Sequence, residues 1–115
     1  MTTKHKIVLV PFPFDDLSAT KVRPAVCLTS PIGPYRHVIL AFITSRVPEA
    51  LLESDFVIDR RAKGFDVTGL KVTSTLRLHR MMTISTTFIL RELGELPPEM
   101  QNEVEKRLYR LFFES

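Results

Sequence analysis

The sequence predicts a mainly β domain, a small barrel of five or six short strands followed by one C-terminal helix. Three observations carry that reading. Short apolar runs of β type, separated by proline, glycine and polar turns, fill the chain up to Arg91. The hydrophobic period then changes to a helical one in the last stretch. Finally, 115 residues with 44% hydrophobic and 25% charged side chains make one domain's worth of globular chain, residues 1–115.

Ile7-Val8-Leu9-Val10 is a continuous apolar strand, and Pro11-Phe12-Pro13-Phe14 is expected to end or bulge it because each proline lacks an N–H. Asp15 to Lys21 is a polar loop. Arg23-Pro24-Ala25-Val26-Cys27-Leu28 opens a second strand, with Pro24 tolerated at its start, and Pro31-Ile32-Gly33-Pro34 turns the chain. Val38 to Ile43 is apolar on both faces and reads as a central third strand ending at Thr44-Ser45-Arg46. Val47 to Glu53 suits one short helical turn, Ser54 to Asp59 returns as a strand, and Arg60 to Gly64 is a basic turn. Beyond Gly69, Leu70 to Leu78 alternates partly with period two, while Met81 to Ile84 and Phe88 to Leu90 are shorter strand candidates. The barrel so drawn spans residues 5–91.

In the tail, Met100, Val104, Leu108, Leu111 and Phe112 fall at helical steps, with Glu103, Lys106, Arg107 and Arg110 off that stripe. An amphipathic helix over about 97–113 follows, with proline in its first turn and Glu99 near its positive end. Its apolar stripe is expected to pack on the chain's own barrel, a partner surface being the other destination.

The net charge of +3 hides an asymmetry. Residues 1–91 carry 13 Lys and Arg against 7 Asp and Glu, whereas residues 92–115 carry 3 against 6. Ten of the sixteen cations are arginine, the side chain whose fork matches phosphate, so a polyanionic partner fits the basic body. Other classes fall away. No apolar run approaches a spanning helix and MTTKHKIVLV is not a signal peptide, which points to a cytoplasmic chain without a membrane partner. Cys27, the single cysteine, sits in an apolar run and reads as a buried, inert thiol. His5, His37 and His79 have no second ligand at metal-site spacing, and the loop pair Asp15-Asp16 reads as solvated carboxylates, so no metal is expected. There is no phosphate-binding glycine loop, no dinucleotide fingerprint and no nucleophile elbow, so no cofactor is expected either.

What remains is a polar set at strand ends. If strands 2 and 3 pair as an antiparallel hairpin, Arg23 at the head of one lies beside Thr44 at the tail of the other. A guanidinium beside a hydroxyl can cradle a phosphate through charge-assisted and hydroxyl hydrogen bonds. By spacing alone the pair is nonspecific, and a surface arginine capping a strand end is the commoner arrangement.

The segment Ile7-Val8-Leu9-Val10-Pro11-Phe12-Pro13-Phe14-Asp15-Asp16-Leu17, followed by Lys21-Val22-Arg23-Pro24-Ala25-Val26, resembles the opening of the MazF/PemK family of toxin endoribonucleases. The likeness continues through Ile43-Thr44-Ser45, Gly69-Leu70, Ser74, Thr83-Ile84-Ser85 and Leu93-Gly94-Glu95-Leu96. His5-Lys6 and Arg80-Met81-Met82 depart from the family pattern. The resemblance implies an SH3-like barrel of the MazF/PemK/CcdB toxin fold, a homodimer, and metal-independent cleavage of single-stranded RNA. It further implies a cognate antitoxin with an acidic extended tail, and contact with DNA only through the toxin–antitoxin complex. It places the catalytic roles on Arg23 and Thr44. Phe14, Asp15, Asp16, Lys21, Ser45 and Arg46 are the accompanying substrate-binding candidates, and Asp15, Asp16 and His79 are candidates for the general base. The other functional class is a noncatalytic binding module on the same barrel, including a CcdB-like gyrase poison.

Overall fold

A computed structural model describes residues 3–12 and 21–114 of the chain. Six antiparallel strands form one sheet: β1 (Lys6–Phe12), β2 (Lys21–Cys27), β3 (His37–Thr44), β4 (Asp55–Ile58), β5 (Ser74–Ser85) and β6 (Arg91–Glu95). Their order across the sheet is β4-β5-β3-β2-β1-β6, so β3 is central and the sheet curls into a half-barrel with β4 and β6 as its edges. Helix α1 (Pro98–Phe113) follows, beginning with proline in its first turn as expected.

Alternation along the strands puts apolar residues on both faces of the sheet. On one face Ile7, Val26, Ala41, Ile43, Leu76 and Leu78 meet Leu96, Met100 and Val104, the last two from α1. Fully burying such side chains stabilises by roughly 1.5–3 kcal/mol each, which is why α1 docks on its own sheet. On the other face Val8, Val10, Ala25, Val38, Leu40, Phe42 and Ile84 cluster around Cys27. Burial there pushes the Cys27 thiol up to about 11, with a hydrogen bond from Thr3 opposing the shift, so the sulfur is protonated at neutral pH.

Several sequence expectations need correction. β1 does not end at its proline but runs through Pro11, which pairs with Val22. Leu90 donates its N–H to the Leu9 carbonyl at 2.9 Å, so Leu9, and by alternation Pro11, face β6. The β1–β6 ladder stops at Leu9, and the missing N–H of Pro11 falls where no strand needs it. Residues 47–53 hold no helix; the chain is irregular there, with a bend at 49–50 and a turn starting at 53. The Asp55 carboxylate accepts the Leu52 N–H at 2.9 Å, a side-chain bond that competes with helix.

The run Leu70 to Leu78 is strand only from Ser74, and from there it joins Met81 to Ile84 in one twelve-residue strand, β5. Phe88 to Leu90 is not a strand, because Thr86–Phe88 is a short 3-10 turn. The last strand is Arg91–Glu95, which extends the sheet beyond the expected limit at residue 91. Its charged, exposed residues suit an edge strand, where charge discourages further pairing. In α1, Phe112 leaves the packed stripe and is 60% exposed.

Candidate active site

β2 and β3 pair at only three positions, Ala25 with Phe42, Val26 with Ala41 and Cys27 with Leu40. The reason is Pro24. Leu28 donates its N–H to the Ile39 carbonyl at 2.8 Å, and counting back by twos, Val26 and then Pro24 face β3. Pro24 has no N–H to offer Ile43, so the ladder stops. On its other edge β3 stays paired with β5 to its end, Ile43 with Leu76 and Thr44 with Thr75. The seam between β2 and β3 opens into a cleft of about 510 Å³, with Arg23 on one wall and Thr44, Ser45 and Arg46 on the other.

The floor comes from β5. Its register against β3 jumps from Met81 opposite Ala41 to Leu76 opposite Ile43, so Arg77 through Arg80 bulge out against Phe42. Leu78 stays in the core with its N–H on the Ser54 carbonyl, while Arg77 and Arg80 reach the cleft lining. Arg77 is held from behind. Its Nε donates to Asp55 Oδ1 at 3.0 Å and its Nη2 to Oδ2 at 3.4 Å, and the Asp55 side chain is wholly buried. Phe12 lies beside two cations, its ring centroid 5.6 Å from the guanidinium carbons of both Arg23 and Arg80, and it meets Phe42 in a T-shaped pair with centroids 4.9 Å apart. Such cation–π contacts contribute about 0.5–1 kcal/mol at exposed sites and restrict where a guanidinium points.

Among the described residues, the lining holds five cations, Arg23, Arg46, Lys71, Arg77 and Arg80, and no carboxylate. A concave surface of one sign focuses its field and draws a polyanion in. Thr44 accepts the Arg46 N–H at 3.3 Å, which leaves its own O–H to donate to a bound oxygen.

Arg23, Thr44, Ser45 and Arg46 therefore share one cleft. Lys21 begins β2, exposed and opposite Phe12, and is outside the lining. Phe14, Asp15 and Asp16 fall outside the described residues. His79 is also outside the lining, its Nδ1 3.1 Å from Ser54 Oγ. Sequence reasoning missed Lys71, Arg77 and Arg80. Residues three apart on a regular strand face opposite sides, so only the bulge of β5 lets Arg77 and Arg80 serve one site.

The sequence matches, over residues 3–112, the family described as PemK-like, MazF-like toxin of type II toxin-antitoxin system. No curated protein is similar enough in sequence to count as a relative. Solved structures share the fold. The Mycobacterium tuberculosis toxin MazF-mt6 superposes with a TM-score of 0.68 at 22% identity, over 93% of this chain and 95% of that one. An endoribonuclease in complex with its cognate antitoxin from Mycobacterial species gives 0.70 at 11% identity, over 97% and 95% of the two chains. MazE-MazF (Form-III) from Deinococcus radiodurans gives 0.66 at 17% identity, over 95% and 94%.

Proposed function

The chain belongs to the PemK-like, MazF-like toxin family of type II toxin-antitoxin systems, and from that membership we propose that it is an endoribonuclease cleaving single-stranded RNA without a metal. The observation that carries the proposal is the joint placement of Arg23 and Thr44 on facing walls of a cleft whose charged lining residues are all cationic. The RNA supplies its own nucleophile. Its 2′-oxygen attacks the adjacent phosphorus, the P–O5′ bond breaks, and the products are a 2′,3′-cyclic phosphate and a 5′-OH end. The 2′-OH proton leaves to a base and a proton reaches the departing 5′-oxygen, so neither water nor an external nucleophile enters. Arg23 stabilises the charge that builds on the pentacoordinate phosphorus, and Thr44 donates to a nonbridging oxygen. No carboxylate or imidazole lines the cleft among the described residues; the general base is unassigned, with Asp15 and Asp16, outside the described residues, kept as candidates.

The test is incubation with a long single-stranded RNA in EDTA. Fragments with cyclic-phosphate ends are the expected result. Intact RNA at micromolar protein would move the chain to a noncatalytic binding module, the gyrase-poison type included.

The natural competitor for such a cleft is another extended polyanion. We assign the cognate antitoxin an acidic tail that occupies the cleft, with DNA contacted only through the toxin–antitoxin complex. An acidic peptide should then inhibit competitively with RNA, and the affinity of both should fall as salt rises. Peptide binding that left RNA affinity unchanged would separate the two sites. No helix among the described residues is long and apolar enough to cross a membrane; the proposed place of action is the cytoplasm.

The proposed assembly is a two-fold homodimer. Leu28, Ile39 and Met81 of the sheet and Leu108, Tyr109 and Phe112 of α1 line an apolar groove of about 420 Å³, and Phe113 beside them is 74% exposed. Exposed aromatic surface of this kind marks an interface, and a two-fold axis lets one patch cover its own copy. Phe112→Glu should yield a particle of 13.2 kDa by light scattering where the parent chain gives twice that mass. A variant that remained dimeric would place the interface elsewhere.

A further inference from the structure

Thr75 sits in β5 and is completely buried. Among the described residues its Oγ1 is the buried side-chain polar atom that has no hydrogen-bond partner. Its neighbours are not left so. Ser74 donates its hydroxyl to the Val72 carbonyl at 2.9 Å, and Thr68 donates to the Phe65 carbonyl at 2.6 Å. A valine has the same branched shape and would remove the unpaired group, so the interior gains nothing from this hydroxyl. The orphan points to a partner that arrives later.

Its position says which partner. The β3–β5 register sets Thr75 directly across from Thr44. Residues directly opposite on antiparallel strands share a face, with Cβ atoms about 5 Å apart, close enough for two threonine hydroxyls to bond by rotating about χ1. Thr44 lines the cleft and Thr75 lies behind it, outside the lining. Thr44 Oγ1 has two lone pairs, and among the described residues it accepts a long 3.3 Å bond from the Arg46 N–H.

We propose that Thr75 is a positioning residue for Thr44: with RNA bound, its hydroxyl donates to Thr44 Oγ1 and so turns the Thr44 proton toward the phosphoryl oxygen. A hydroxyl that accepts one hydrogen bond donates a stronger one, and the rotor is no longer free to turn away. The inference rests on the reading of Thr44 as a phosphate-binding residue of a nuclease. The pairing across β3 and β5 would switch on with substrate, because only then does Thr44 commit its own proton outward.

The experiment compares cleavage of a fluorogenic single-stranded RNA by the parent chain, Thr75→Val, Thr75→Ala, Thr75→Ser and Thr44→Val, with a thermal melt of each. The expected result is a drop in kcat of about tenfold for Thr75→Val and for Thr75→Ala, with KM within about twofold of the parent. Thr75→Ser, which keeps the hydroxyl, should restore kcat, and Thr75→Val should melt no lower than the parent because it loses an unpaired buried group. If Thr75→Val cleaves at the parent rate while Thr44→Val does not, the positioning role is overturned and the nuclease reading stands. Equal losses in Thr75→Ser and Thr75→Val would also overturn it, since volume rather than the hydroxyl would then matter. A parent chain that fails to cleave overturns the nuclease reading and this inference with it.

Discussion

Arg23→Ala should lower the single-turnover rate of RNA cleavage by about 10²–10³-fold, the usual effect of deleting one preorganised donor to a developing oxyanion. The fold should barely notice. Arg23 is only part-buried near the start of β2, opposite Val10, and the backbone pairs that hold this end of the strand to β1 do not depend on the side chain. A melting temperature within a few degrees of the parent is therefore expected. Arg23→Lys should recover only part of the loss, because an ammonium keeps the charge but not the forked pair of donors that matches a phosphate. Removing Arg23 also strips one cation from beside Phe12, leaving Arg80 on the same ring. Residual binding of RNA with lost cleavage is the signature to look for. An Arg23→Ala variant that cleaved at the parent rate would take this residue out of the chemistry.

The largest expected effect on stability comes from a single methyl group. Gly94 in β6 lies opposite Ile7 where the β1–β6 register slips between Ile7 and Val8, and it passes over the short 3-10 turn Phe65–Thr68. A Cβ on Gly94 would stand 2.2 Å from the Val67 carbonyl oxygen and 2.6 Å from the Thr68 carbonyl carbon. Gly69 makes the reciprocal approach with φ of +74°, and its Cβ would stand 2.1 Å from the Leu93 carbonyl oxygen. These obstacles are backbone, so no side-chain rotation relieves them. Gly94→Ala must push β6 off the turn and loosen Phe65 and Leu96 beneath. The expected cost is at least about 3 kcal/mol, the upper end of overpacking effects. A fall in melting temperature of more than about 10 °C should accompany it. A variant melting close to the parent would show that the turn can move away from β6 at little cost.

The parts of the fold that were legible share one property: their side chains announce their surroundings. Most of Ile7 to Val10, Ala25 to Leu28 and Val38 to Ile43 is buried, all but Leu9, Leu28 and Ile39, which is why these runs are apolar, and Met100 and Val104 recur at helical spacing because they touch the sheet. β6 carries no such signal. Its residues are mostly exposed and charged, and what defines it is backbone pairing with β1, which leaves no trace in hydropathy. The exposed Phe88 and Leu90 just before it look more like a strand than the strand does.

The site divides the same way. Arg23 and Thr44 could be paired from the hairpin alone, whereas Arg77 and Arg80 enter only through the bulge of β5 opposite Phe42. The Asp55 carboxylate that holds Arg77 was hidden for a different reason: a buried acid is spelled like a surface one. The strand through Pro11 shows the converse, a proline that looks disruptive until its missing donor is found to lie beyond the end of the β1–β6 ladder.

Pro24 gives the cleft a mechanical character of its own. The gap between β2 and β3 is not wedged apart by a bulky group; it is an unfastened zip, stopped one tooth short because a single nitrogen carries no hydrogen. A residue that carries an N–H at this position should add one bond to Ile43 and extend the hairpin. The chain would then trade its aperture for a longer hairpin, becoming sturdier as it closed over Arg23 and Thr44. An open cleft and a longer, better-paired hairpin thus stand one N–H apart, and a screen that selects for robust folding alone would drift toward the closed form.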